Sequence, residues 1–73
     1  MAAYKTIKNF VNLYDPDDKV IDYLPEGTKL DVSEIIRSGK DKKVAILSDG
    51  NYVVASYRNM EAIAPVKKGK KKE

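Results

Sequence analysis

Neither histidine nor cysteine occurs among the 73 residues. Those two absences remove imidazole general bases, cysteine nucleophiles, thiolate or imidazole zinc sites and disulfides together. Ser33, Ser38, Ser48 and Ser56 have no histidine to activate them, and no signature of a serine–lysine dyad surrounds any of them. Asp15, Asp17, Asp18 and Asp22 crowd one short stretch. A calcium loop of the EF-hand type needs acids at its first, third and fifth positions and glycine at its sixth. Counted from Asp15, those last two places hold Lys19 and Val20. The stretch is expected to be a solvated acidic loop, with no metal and no cofactor. The remaining chemistry is that of non-covalent contact, so the chain is expected to bind rather than to catalyse.

Two residue groups suit contact. The first is tyrosine, at positions 4, 14, 23, 52 and 57. A tyrosine can bury its ring at the edge of a small core and keep its hydroxyl wet, and it is also enriched at interfaces. The second is lysine. Lys67, Lys68, Lys70, Lys71 and Lys72 end the chain with Glu73. Residues 1–66 carry nine basic and ten acidic side chains. The pI near 9.1 therefore belongs to the tail and not to the body. Residues 67–73 are too polar and too uniformly charged to form a core, so a disordered tail is expected. Such a tail either aids solubility or contacts nucleic-acid phosphates, displacing counterions without reading bases. Arg37, Lys40, Lys42 and Lys43 make a second basic spot, read as a solvated connector because Asp41 interrupts it.

These groups need a scaffold, and the length allows one domain with a compact core, taken as residues 1–66. No apolar run approaches the roughly 18 residues of a membrane span. MAAYKTIKNF lacks the apolar stretch and cleavage site of a secretory leader. The chain opens on Met and reads as complete and cytoplasmic. No membrane partner is expected. Its size and lack of cysteine are in the style of phage-encoded proteins, either virion parts or host-targeting factors.

The body reads as five short strands. Residues 4–13 are β-favouring, and Val11 and Leu13 alternate with Asn12. Asp15-Pro16 marks a turn, after which Val20, Ile21, Tyr23 and Leu24 form an apolar patch expected to fold back onto the core. Pro25-Glu26-Gly27 is a turn that needs glycine at positive φ. Leu30 and Val32 then alternate with Lys29, Asp31 and Ser33, and the phase change at Ile35-Ile36 suggests a β-bulge. Val44–Leu47 is a continuous apolar strand. Asp49-Gly50 is a hairpin signal leading into Tyr52–Ala55. Ser56–Met60 reads as a 3₁₀ turn, and Ala62-Ile63-Ala64 as a last strand ended by Pro65.

In VNLYDPDDKVIDYLPEGTKLDV and AILSDGNYVVASYRNMEAI the order of pieces resembles the Src-homology-3-like barrels. The resemblance covers about Phe10 to Ile63 and implies a small five-stranded barrel. In the eukaryotic form it implies a groove lined by Tyr14 and Tyr57, with Asp17 and Asp18 facing a basic ligand residue. The chain has no tryptophan, and Val54 stands where that form has a groove proline. Tyr14 stands where the bacterial, cell-wall-binding form tends to place Arg. The resemblance thus implies the fold and a binding role rather than either ligand. In this fold Tyr14, Tyr52 and Tyr57 come from adjoining segments. The expected function is a protein-binding adaptor acting through Tyr14, Tyr52, Tyr57, Asp17 and Asp18. The alternatives are non-specific nucleic-acid binding through the lysine tail, and self-assembly as a structural subunit.

Overall fold

The computed structural model describes residues 2–66. The proposed tail, residues 67–73, lies outside the described residues. The described chain is all-β: β1 (Ala2–Thr6), β2 (Val11–Tyr14), β3 (Val20–Leu24), β4 (Lys29–Arg37), β5 (Lys42–Leu47), β6 (Tyr52–Tyr57), β7 (Met60–Glu61) and β8 (Ile63–Pro65). Every pairing is antiparallel, in the order β3-β2-β6-β5-β4-β1-β8, with β7 also on β6.

Period-two alternation, expected in β4 and found in β6 as well, sets the faces. Leu30 and Val32 of β4 and Val53 and Ala55 of β6 point inward, joined by Val11, Leu24, Ala45, Leu47 and Ile63. Their neighbours Asp31, Tyr52, Val54 and Ser56 point outward, as period-two side chains must. The sheet curls over this core. Met60–Pro65 bridges β1 back to β6, pairing with β6 through β7 and with β1 through β8, while β3 remains at the free end. Between them the Ala62 N–H donates to Ala55 O at 2.8 Å, and Ala62 O accepts from Ile7 N at 2.9 Å.

Eight strand segments replace the expected five. The opening stretch splits at Ile7–Phe10, because β1 pairs with β4 and β8 while β2 pairs with β3 and β6. The patch at 20–24 does not fold onto the core. It is β3, and of its apolar side chains Leu24 alone is buried. The bulge falls between Val32 and Glu34 rather than at Ile35-Ile36. The expected 3₁₀ turn is a hairpin instead. Arg58 and Asn59 adopt φ of 52° and 62°, the left-handed pair whose twist matches flanking strands. The turns at Gly27 and Gly50 stand as expected, with φ of 90° and 95°.

Candidate functional site

Two turns of the same build frame the site. In one, Gly50 N donates to Leu47 O at 3.0 Å and Leu47 N to Asn51 O at 2.8 Å. In the other, Asp18 N donates to Asp15 O and Asp15 N to Lys19 O, both at 2.9 Å. Asp15 Oδ1 also accepts from Asp17 N at 2.9 Å and Lys19 N at 3.0 Å. Asp18 thus occupies the position that Gly50 holds in its own turn, at a φ of 68°. Aspartate tolerates that conformation better than most residues. Its carboxylate is put to use, since Oδ1 accepts the Tyr52 hydroxyl at 2.5 Å.

The register of β2 on β6 places Tyr14 opposite Tyr52. Their rings stack with centroids 5.0 Å apart and planes 11° from parallel. Two grooves flank this stack on the outer face. One, of about 250 Å³, has Lys8, Phe10, Tyr14, Val54, Tyr57 and Met60 among its lining residues. Phe10 is 65% exposed and Met60 59% exposed. The other, of about 510 Å³, runs between Asp18 and Lys42 over Tyr52, Val44 and Ile36. Tyr14 and Val54 line both. The Arg58 guanidinium lies 5.3 Å from the Tyr57 ring centroid and holds that ring at the groove edge.

The expected tyrosine patch is therefore brought together, and Asp18 joins it. Asp17 lines neither groove. Its side chain sits on the exposed turn. Lys67, Lys68, Lys70, Lys71 and Lys72 lie outside the described residues. Among the described residues no group of three or more carboxylates is gathered tightly enough to hold a metal ion. Phe10 and Met60 were not legible as site residues. Phe10 reads as strand interior, and Met60 as part of a turn, until Arg58-Asn59 is recognised as a left-handed hairpin pair.

Asp18 also tunes Tyr52. The hydrogen bond to a carboxylate, then burial, then the Asp18 charge push the phenol from 10.0 up to about 12. A folded-state value above the unfolded one means that the contact stabilises the fold fully below pH 10.0 and is lost as pH rises through about 12. Ultraviolet titration of the tyrosines should resolve one phenol ionising near pH 12, and Asp18→Asn should bring it back towards 10.0. An unchanged titration in Asp18→Asn would show that the pair is not formed in solution.

Comparison with family models, curated proteins and solved structures finds no match.

Proposed function

We propose that the chain is a Src-homology-3-like barrel that binds an extended segment of another protein, without catalysis, along the two grooves that meet at Tyr14 and Val54. The observation that carries this reading is the set of Phe10, Tyr57 and Met60, all exposed around one groove. Contiguous apolar side chains left in water mark contact sites far better than scattered ones do. The fold part of the reading is supported by the five-membered circuit of β1, β4, β5, β6 and Met60–Pro65. The β2–β3 hairpin stands beside that circuit on the other part of β6. The chemistry of the grooves suits an extended apolar segment carrying a basic residue at the Asp18 end. Two tyrosines without a tryptophan favour a broad apolar contact over a stacked proline helix.

The test begins with affinity capture from the source cells, with and without nuclease. Affinity for the captured protein is then measured by calorimetry. Tyr57→Ala and Met60→Ala should each weaken binding about tenfold, as truncated anchors do. Both side chains are exposed, so the fold should survive, and circular dichroism checks it. Deleting 67–73 should leave binding intact. If the deletion abolishes binding and folded groove variants retain it, the lysine-tail reading replaces this one. Five lysines then limit the slope of log affinity against log salt to roughly −4.5 on duplex.

A further inference from the structure

The β3 strand is the free end of the sheet order, and among the described residues its sole strand partner is β2. Its other edge faces solvent with Val20 exposed, Ile21 51% exposed and Tyr23 63% exposed. Natural edge strands are usually blunted by lysine, proline or a covering element, because open backbone groups beside apolar side chains recruit other strands. Here the blunting residue is Asp22, whose Oδ1 accepts the Tyr23 N–H at 2.7 Å. That contact places the Tyr23 N–H on the outer edge, masked by a carboxylate and not paired to β2. The flanking residues are acidic too: Asp15, Asp17, Asp18 and Glu26 surround β3, against Lys19 alone.

This charge pattern selects the occupant. A second copy pairing antiparallel about Asp22 would set Asp22 against Asp22 and bring the two acidic arms together, and like charges directly opposite are destabilising. A basic strand meets the opposite situation. A lysine or arginine can draw the Asp22 carboxylate off the Tyr23 N–H, which frees that donor for the incoming carbonyl. Apolar residues at alternate positions then cover Ile21 and Tyr23. We infer that the β3 edge takes up an extended segment of a partner protein, alternating basic with β-branched apolar residues, as an added strand on the sheet. This surface is separate from the grooves at Tyr14, Tyr57 and Met60, and the inference does not rest on them.

The probe is an end-blocked peptide of about eight residues, near the length of an ordinary strand, alternating lysine with valine. Its counterpart alternates glutamate with valine. Titrated into the isotopically labelled full chain, the lysine peptide should shift the amide signals of 20–24 and slow exchange of the Tyr23 amide. The glutamate peptide should do neither. Tyr23→Lys should weaken binding about tenfold or more. Asp22→Lys should reverse the preference between the two peptides. Both changes are on exposed side chains, so the spectra of folded variants remain readable. Tyr57→Ala should leave this binding unchanged, which separates its failure from failure of the groove reading. Shifts centred on Phe10, Tyr57 and Met60, equal binding of both peptides, or no binding would each overturn the inference. So would concentration-dependent self-association that Tyr23→Lys abolishes, because the edge would then belong to a second copy.

Discussion

Thr6→Val is expected to lower the free energy of unfolding by about 2 kcal/mol, although the two side chains have nearly the same shape. Thr6 is 1% exposed and is the buried polar residue among the described core. Its Oγ1 donates to Pro25 O at 2.6 Å and accepts from Thr28 N at 2.9 Å. Its backbone N donates to Thr28 O, and its carbonyl accepts from Gly27 N, both at 2.9 Å. One residue of β1 thus holds the whole 25–28 turn that launches β4. Valine keeps the packing and the backbone bonds but removes both Oγ1 bonds, leaving the partly buried Thr28 N–H only its longer bond to Pro25 O at 3.3 Å. Pro25 O keeps the Thr28 Oγ1 donor at 2.6 Å, so the loss of the shorter of the two Thr28 N bonds carries most of the penalty. Thr6→Ser retains both side-chain bonds and should cost less than valine does. Chemical denaturation of the three proteins checks the order. If valine proves neutral, the hydroxyl does not hold the turn.

Gly50→Val should cost a similar amount, about 2 kcal/mol, and lower the melting temperature by about 10 °C in a domain of this size. The cause differs. A Cβ at Gly50 meets nothing within 4 Å, so no neighbour is displaced. The entire effect comes from forcing a β-branched residue to a φ of 95°. Gly50→Asn should therefore be milder than valine despite its comparable bulk, because asparagine tolerates the left-handed region. Thermal unfolding of the pair separates backbone strain from crowding. Equal losses in both would place the problem in packing instead.

Local turn chemistry and strict alternation were the legible parts of this fold. Asp49-Gly50 and Pro25-Glu26-Gly27 carry their geometry in their own residues, and Leu30/Val32 declare their face by period two, whereas the unbroken apolar run Tyr52–Ala55 does not. What could not be read was settled by distant partners. Nothing local separates Thr6 from Val11. The break between β1 and β2 follows from which strands each meets. Residues 20–24 have no clean alternation, and β3 exists because β2 offers it a ladder. The site divides in the same way. Tyr14, Tyr52 and Tyr57 were legible as types suited to contact, and segment order put them together. The stack itself depends on the Tyr14–Tyr52 register, and the Asp18 contact on a turn that lifts one carboxylate towards a ring 34 residues along the chain.

The segment Met60–Pro65 has a consequence for connectivity. It brings Val66 beside Ala3, with N···O at 2.9 Å, so the two ends of the described chain lie side by side, next to the paired strands β1 and β8. With residues 67–73 removed, a short linker across that gap would convert residues 2–66 to a covalent circle without moving any strand. New ends could then open at the exposed Ser38–Asp41 connector, where no core residue is disturbed. In such a permuted chain the β1–β8 pairing, which spans nearly the whole natural order, would become an ordinary hairpin. The closure that now costs the most chain entropy would come early in folding rather than last.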